Sequence, residues 1–321
     1  MVQVIQQSLF DGFDVGSARR SKSELLDWSP SKRSQLEQCP RRYYYQYYAD
    51  PLEIVAGQIA SLRFYRKLTN SWMLAGILLH QKIKELFGIW RGGGMVEANS
   101  FVNEVSQRWQ KVRESSVQFA RSGNYSEMPT RALLMEFIFV DATANKMWSE
   151  AGQRLEKALH GFLTLPSVDP FRRGGLVEDA VIEKRVLVEG QGFRMRGLID
   201  LAWRGNGRVT VADWKSGDRD SADSDLQLLA YALGVQHRFD CALDEVDLFR
   251  VELGSGRVVP LTFNQQEAAR AKARMAQDTA LMIDLHKYGK QRISEAFTPT
   301  GSPRVCRLCP YQRICPGSEA R

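Results

Sequence analysis

Two short segments of this 321-residue chain, Gly197-Leu198-Ile199-Asp200 and Asp213-Trp214-Lys215, place charged side chains on two consecutive predicted β-strands. The Gly205-Asn206-Gly207 stretch between them is a tight-turn signal that predicts a hairpin. Side chains two residues apart in a strand share a face, so Asp213 and Lys215 are expected to point the same way. Pairing of the two strands would bring Asp200 close to both.

These three side chains are the groups that metal-assisted hydrolysis of phosphate esters uses. Carboxylate oxygens are the ligands that Mg²⁺ takes, and a bound metal neutralises a phosphate and acidifies a water molecule. A nearby ammonium group can orient that water and stabilise the charge that develops on phosphorus. An isolated Asp-x-Lys is most often an ordinary salt bridge, so the surrounding sequence has to distinguish the two interpretations.

The segments around this trio alternate between strand and helix patterns, which indicates an α/β core. Residues 180–188, 193–203 and 208–214 are predicted to form an antiparallel meander. A helix, two strands and a long helix are predicted to follow, over residues 221–237, 245–253, 258–263 and 265–286.

The first half of the chain is predicted to be helical, with apolar residues at helical spacing over 71–90, 96–122 and 129–165. Ser29 is predicted to cap a helix that starts at Pro30, and Pro40 is predicted to kink or end it. We therefore divide the chain into a flexible arm, a helical region, a core and a cysteine-rich segment, at residues 1–24, 25–175, 176–290 and 291–321.

The predicted helix after Lys215 carries Gln227 and Tyr231, which are four residues apart and share one helical face. With this pair after the two strand segments, the chain resembles the PD-(D/E)XK nuclease superfamily in its RecB-like branch, from about Ser29 to Cys315. The resemblance implies a restriction-endonuclease-like core, with a mixed central sheet flanked by helices, and a helical N-terminal region over its cleft.

The resemblance also implies roles for the site residues. Asp200 and Asp213 would bind one or two Mg²⁺ or Mn²⁺ ions, Lys215 would assist the attacking water, and Gln227 and Tyr231 would lie beside the active site.

A histidine on an early helix is a further candidate ligand. A lone helical histidine is more often structural, but members of the resembled family carry a metal-ligating histidine shortly after a glycine, and Gly76 and His80 fit that position. Imidazole suits Mn²⁺ better than Mg²⁺. Glu183, in the first predicted core strand, could assist from nearby.

The chain has five cysteines and no visible secretory signal, which favours metal or cluster chemistry over disulfides. Cys306, Cys309 and Cys315 are close enough in sequence to hold one site, and Cys39 and Cys241 are the candidates for a fourth ligand. The resemblance implies Cys39, because the AddB nuclease domain and CRISPR-associated RecB-like exonucleases hold a [4Fe–4S] cluster with one upstream and three downstream cysteines. A four-cysteine zinc site is the alternative.

The net charge of +7, from 44 basic and 37 acidic residues, is compatible with a nucleic-acid partner without proving one. Arg41 and Arg42 precede a run of tyrosines and are the predicted DNA contacts. The competing interpretation is a helix whose aromatic face packs on the core and the cysteine cluster.

The resemblance implies a metal-dependent deoxyribonuclease, expected to be an exonuclease on single-stranded DNA or strand ends. DNA repair, recombination, CRISPR adaptation and phage-related processing are the expected settings. A nuclease-fold DNA-binding subunit of a larger complex, inactive or active only with partners, is the alternative; the intact Asp200, Asp213 and Lys215 set argues against it. The chain has no G-x-x-x-x-G-K-[ST] motif, so a helicase would be a separate chain. No membrane span is predicted and a cytoplasmic location is expected.

Overall fold

A computed structural model describes residues 26–54, 60–125, 132–173, 179–190, 193–217 and 222–318. The predicted arm over residues 1–24 lies outside these ranges, as do the first residues of the helices predicted from 129 and from 221. The strands in chain order are β1 (Leu26–Trp28), β2 (Leu68–Thr69), β3 (Leu133–Leu134), β4 (Val181–Gly190), β5 (Phe193–Gly205), β6 (Arg208–Lys215), β7 (Val246–Glu252) and β8 (Arg257–Leu261).

The helices fall into an N-terminal set, a pair behind the sheet and a short C-terminal turn of helix. In chain order they are α1 (Pro30–Gln38), α2 (Pro40–Tyr47), α3 (Leu62–Tyr65), α4 (Ser71–Arg91), α5 (Ala98–Ser122), α6 (Met135–Ile138), α7 (Ala144–Thr164), α8 (Asp169–Arg172), α9 (Ala222–Phe239), α10 (Gln265–Lys290) and α11 (Pro303–Arg307). Single 3₁₀ turns lie at Pro166–Val168, Leu243–Glu245 and Ser294–Ala296.

The central sheet mixes antiparallel and parallel pairings. β4, β5 and β6 form the predicted antiparallel meander, β7 lies parallel to β6, and β8 is antiparallel to β7. β1 joins β5 in parallel at Phe193–Met195, beyond the stretch of β5 that pairs with β6. The prediction of a mixed central sheet is therefore confirmed.

Strand alternation gives the sheet two apolar faces, and helices cover both. In β6, Val209 and Val211 belong to the core beneath α9 and α10, whereas Ala212 and Trp214 belong to the core beneath α4, α5 and α7. Trp214 is 1% exposed and packs edge-on against Phe162 of α7. β6 lies between the two helical layers and ends in Asp213-Trp214-Lys215. The predicted arrangement of helices around the sheet is confirmed, while the proposed domain boundaries stay predictions.

Local signals set the ends of the first two helices as predicted. The Ser29 hydroxyl accepts a hydrogen bond of 3.2 Å from the Lys32 amide, and Pro30 takes the first helical position. Pro40 ends α1 at Gln38 and begins α2, because proline has no amide hydrogen to continue the first helix.

The start of α4 is anchored by two polar side chains. Asn70 caps the helix by accepting from the Met73 amide at 2.9 Å. The buried Glu136 carboxylate accepts from both the amide and the hydroxyl of Ser71, so it faces the positive end of the helix dipole. These contacts fix the position of the helix that carries His80.

The prediction of a single helix over residues 129–165 is wrong. The chain forms β3, α6 and then α7, with a break at residues 139–143. Val140 there has a φ of 56°, in the left-handed region, and the Asp141 carboxylate accepts from the Thr143 amide at 2.7 Å. An aspartate that bonds the backbone two residues on competes with helix, and apolar periodicity alone does not reveal it. The short strands β1, β2 and β3 were also not predicted.

Gly161 of α7 provides a test of how tightly the helical layer contacts the sheet. A Cβ atom at this position would lie 1.9 Å from the backbone oxygen of Leu253, just beyond β7. We expect Gly161→Ala to lower the free energy of unfolding by roughly 3 kcal/mol or more, because the clash is with backbone and α7 has to move. Urea titration at equilibrium measures the change.

Gly88→Ala is the matched control, since a Cβ at Gly88 of α4 would meet nothing within 4 Å. This variant should gain roughly 0.5–1 kcal/mol from helix propensity. Equal stability changes in the two variants would contradict the close packing of α7 on β7.

Candidate active site

Four neighbouring strands each place one charged residue in a single row across the sheet. The β4–β5 register sets Glu183 opposite Asp200, and the β5–β6 register makes Asp213 the next cross-strand neighbour. Asp213 is paired in turn with Arg250 of β7. All four are buried, from 1% exposed for Asp213 to 8% for Glu183. Buried like charges repel strongly, so this row requires positive partners.

His80 of α4 provides one of those partners. Its Nδ1 atom lies 3.0 Å from Glu183 Oε1 and 3.2 Å from Asp200 Oδ1. The possible ligand atoms of these three residues all lie within 4.8 Å of one another. One imidazole and two carboxylates at this spacing fit a single divalent cation, because oxygen and imidazole donors suit Mg²⁺ and Mn²⁺. The predicted neighbourhood of His80 and Asp200 is present, and Glu183 belongs to it.

The backbone at Glu183 is strained. Its φ is 46°, a left-handed conformation that a non-glycine residue in a strand adopts only at a cost of about 1–3 kcal/mol. Burial raises the pKa of the Glu183 carboxyl, and the charge of Asp200 adds to that effect. The fold therefore holds this carboxyl beside His80 in spite of both costs, which marks it as part of the site.

Burial and the neighbouring carboxyl groups together set the ionisation of His80 and Asp213. Burial by itself would lower the pKa of His80, but the charges and hydrogen bonds of Asp200 and Glu183 outweigh it and hold the pKa well above its usual value. Burial, and then the charge of Asp200, raises the pKa of Asp213 to about 6. Without a metal, the imidazolium of His80 supplies positive charge between two carboxyl groups.

A chain of hydrogen bonds holds the other half of the site. Lys215 Nζ lies 2.7 Å from Asp213 Oδ2 and donates to Gln227 Oε1 at 3.2 Å. The Gln227 amide donates to Asp213 Oδ1 at 3.2 Å and to the Tyr231 hydroxyl at 2.8 Å. Burial and the charges of Asp200 and Asp213 raise the pKa of Tyr231 well above its usual value, so it stays a neutral phenol. Gln227 thus orients both the lysine and the aspartate.

Two contacts position these groups from outside. The Trp214 amide donates to Asp200 Oδ2 at 2.7 Å, which ties the second strand of the site to the third. Arg250 donates to Asp225 at 2.6 Å and so links β7 to the first turn of α9, near Gln227. Sequence reasoning missed Arg250, because only the β6–β7 register shows that it neighbours Asp213.

The structure therefore brings together His80, Asp200, Asp213, Lys215, Gln227 and Tyr231, although their catalytic roles stay predictions.

A second candidate site lies at the chain ends. Cys39, which joins α1 to α2, lines one cavity with Cys306, Cys309 and Cys315 of the C-terminal segment, and all four cysteines are buried and outside any disulfide. Burial raises the pKa of Cys309 to about 12, with further contributions from Cys39 and Cys315. Cys241 is half-buried and does not line this cavity. Four thiols around one cavity are a donor set for a metal or an iron–sulfur cluster.

The two predicted DNA-contact arginines lie beside this cavity. Arg41 is buried, and its Nε donates to the backbone oxygen of Phe297 at 2.8 Å. Arg42 lines the cavity, and within the described residues its buried Nε has no hydrogen-bond partner. Both positions favour roles toward the protein interior and the cysteine cavity, and DNA contact by either arginine stays a prediction.

The fold and the site define a metal-dependent nuclease class, with a mixed sheet whose charged row meets a histidine and a lysine. A family model of the PD-(D/E)XK nuclease superfamily matches residues 27–316, and the chain belongs to that superfamily. Nucleases of this superfamily use divalent metals, and DNA is the substrate that membership implies.

The crystal structure of SSO0001 is a similar solved structure, with 18% sequence identity and a TM-score of 0.31; the match covers 77% of this chain and 97% of that one. Curated proteins contain no match to the chain. Among the described helices, none is both long and apolar enough to cross a membrane.

The pKa shifts predict that metal binding weakens in acid. To bind a metal, the predicted ligands Asp213 and His80 would have to be ionised and neutral respectively, whereas both pKa values are raised. We expect affinity for Mn²⁺ to fall by roughly tenfold or more per pH unit below about pH 6, because protons compete for the ligands. Calorimetric titration in buffers of different ionisation enthalpy measures both the affinity and the protons released.

The metal-free protein should show the opposite trend in stability from these two groups. Their folded-state pKa values exceed the unfolded ones, so their contribution is present in acid and is lost as pH rises through about 6 for Asp213 and through a higher value for His80.

In the calorimetric titration, Asp213→Asn should release fewer protons than the wild type on binding Mn²⁺. An affinity that does not change between pH 5 and 7 would contradict the assignment.

Proposed function

We propose that this protein is a Mg²⁺- or Mn²⁺-dependent exonuclease of the RecB-like branch that hydrolyses single-stranded DNA from an end. The observation that carries the proposal is the convergence of His80, Glu183 and Asp200 within 4.8 Å, beside the Asp213–Lys215 ion pair. An ordinary salt bridge with His80 would need only one carboxyl group and no strained backbone at Glu183. A divalent metal site uses the imidazole and both carboxyl groups, those of Glu183 and Asp200.

The proposed roles follow from the contacts. His80, Glu183, Asp200 and Asp213 would hold the metal, which when bound neutralises phosphate charge and lowers the pKa of a water ligand. Lys215 is ion-paired with Asp213 at the edge of the site and would orient the attacking water and stabilise charge on the phosphate. Gln227 and Tyr231 would hold the side chains of Lys215 and Asp213 in position through their hydrogen bonds.

The depth of the site supports an unpaired strand as substrate. The Asp213 side chain is only 2% exposed and that of Lys215 is 24% exposed, while His80, at 33%, forms the more open side. A scissile phosphate has to enter this recess from the His80 side. An unpaired strand end can do so more readily than an intact duplex.

Hydrolysis of end-labelled DNA tests the proposal. With Mg²⁺ or Mn²⁺, the wild-type protein should shorten single-stranded oligonucleotides stepwise and act less on duplex. Asp213→Asn should lower the rate by at least about a hundredfold, because it removes a carboxylate from the metal site.

Asp247→Asn, which alters an exposed aspartate of the neighbouring strand paired with Arg208, is the matched control and should retain activity. Equal rates for wild type and Asp213→Asn would overturn the active-site assignment, and internal cutting of circular single strands would overturn the exonuclease mode.

We also propose that the four cysteines of the second site bind a [4Fe–4S] cluster. In the described part of the chain, no three of these thiols all lie within 4.8 Å of one another. Zinc would hold four sulfur atoms about 3.8 Å apart, from a Zn–S bond of roughly 2.3 Å. The unpaired Nε of Arg42 supplies a donor toward an anionic cluster. The spacing of the thiols and this donor therefore favour the larger group.

The role of this cluster would be structural, because hydrolysis transfers no electrons. It would join the N-terminal helices to the C-terminal segment, which already meet where Tyr45 packs on Tyr311 at 5.2 Å. Closing so long a loop restricts the unfolded chain and thereby stabilises the folded one.

Protein purified without oxygen should be brown and contain about four irons per chain, the complement of a [4Fe–4S] cluster. Cys39→Ser should lose most of the iron and unfold at a lower temperature. Cys241→Ser should keep the iron content and the unfolding temperature of the wild type. Iron analysis, visible absorption and thermal unfolding measure the outcome. A colourless protein with stoichiometric zinc would contradict the cluster.

A further inference from the structure

Arg154 lies at the edge of the candidate active site without belonging to the metal-binding set. It is an exposed residue of α7, and its guanidinium carbon lies 4.5 Å from the centre of the Trp72 ring. Trp72 is in the first turn of α4, the helix that carries His80 about 12 Å further along its axis, at roughly 1.5 Å per residue. Arg154 is therefore held against the helix that supplies one candidate ligand.

The same guanidinium also reaches the strand that supplies the lysine. A Cβ atom at Gly217 would lie 3.2 Å from Arg154 Nη1, so the guanidinium lies against the backbone just after β6. Gly217 is two residues beyond Lys215, hence no more than about 7 Å along the chain. Two independent contacts thus place Arg154 between the element carrying His80 and the element carrying Lys215.

Within the described residues, the Arg154 side chain forms no hydrogen bond and no ion pair. Each of the other described arginines that lie over aromatic rings forms a hydrogen bond or an ion pair. These pairs are Arg113 with Asn145, Arg172 with Asp169, Arg204 with the backbone oxygen of Phe239, and Arg313 with the backbone oxygen of Phe139. Packing on a ring explains the Trp72 contact. It does not explain why an arginine is kept beside the active site with its donors uncommitted.

A guanidinium that stacks on tryptophan through its face still has N–H groups at its edge. Those groups match the paired oxygens of a phosphate, which arginine binds in a bidentate manner. Stacking on the ring holds the side chain in place before a ligand arrives. This lowers the entropy lost on binding.

We infer that Arg154 binds a backbone phosphate of the DNA strand next to the phosphate being hydrolysed, with Trp72 holding its guanidinium in position. The inference rests on the proposed function for its substrate, and it adds a strand-binding residue outside the metal site. Arg154 positions the strand and takes no part in bond breaking, so its loss should raise KM and leave kcat nearly unchanged.

The test measures DNA binding apart from hydrolysis. Full-length wild-type protein without divalent metal is titrated with a fluorescently labelled single-stranded oligothymidylate, by anisotropy at several salt concentrations. Arg154→Ala should weaken binding by about 3- to 10-fold and reduce the salt dependence by close to one counterion, because one phosphate contact is lost. Arg154→Lys should recover part of the affinity as a point charge without bidentate geometry.

Arg113→Ala is the matched control, because Arg113 lies 5.1 Å over Trp148 in the same helical layer. It should lower thermal stability at least as much as Arg154→Ala, because the hydrogen bond to Asn145 is also lost, and should leave DNA binding as in wild type. Equal oligothymidylate affinity for Arg154→Ala and wild type overturns the inference. So does a loss of affinity that Arg113→Ala reproduces, since that would be an effect of ring packing.

Hydrolysis by the wild type, measured separately with Mn²⁺, keeps the two proposals distinguishable. If the wild type degrades the oligothymidylate and Arg154→Ala has unchanged KM, the proposed function stands and the inference fails. If the wild type binds the oligothymidylate through Arg154 but does not cleave it, the inference stands and the exonuclease proposal fails.

Discussion

Burial of three neighbouring carboxyl groups is the constraint on which the rest of this structure depends. Glu183, Asp200 and Asp213 lie side by side on three strands, where water cannot screen their repulsion. Positive groups from separate elements offset it: His80 from α4 and Lys215 from the end of β6. The helical layers, the Gln227 bridge and the capped start of α4 all serve to keep those groups in place.

The sequence predicted the chemistry of this centre better than its surroundings. Strand alternation and the turn after Gly205 were enough to bring Asp200, Asp213 and Lys215 together, since they lie in one hairpin. His80 and Cys39 needed a family resemblance, because no local pattern relates residues so far apart. Arg250 and Arg154 could not be predicted, since their importance depends on sheet register and helix packing. The broken helix after Phe139 was missed because an aspartate turn overrides apolar periodicity.

Two centres with different chemistry hold the chain together. In the first, oxygen and nitrogen donors from the helical layer and the sheet meet at the end of the strands. In the second, thiols from α1–α2 and the C-terminal segment share a cavity. The contacts of Arg33 and Trp28 with Asp278 of α10 reinforce the same join between the chain ends. Membership of the PD-(D/E)XK superfamily accounts for the first centre, while the second lies outside the nuclease chemistry.

The placement of His80 on a helix separate from the three acidic strands has a consequence for biosynthesis. During synthesis His80 leaves the ribosome first, and Glu183, the first of the three acidic residues, follows more than a hundred residues later. A nascent or misfolded chain that has not docked α4 on the sheet lacks a complete ligand set. Under the proposed function, such a chain would be inactive as a nuclease until its tertiary structure is complete.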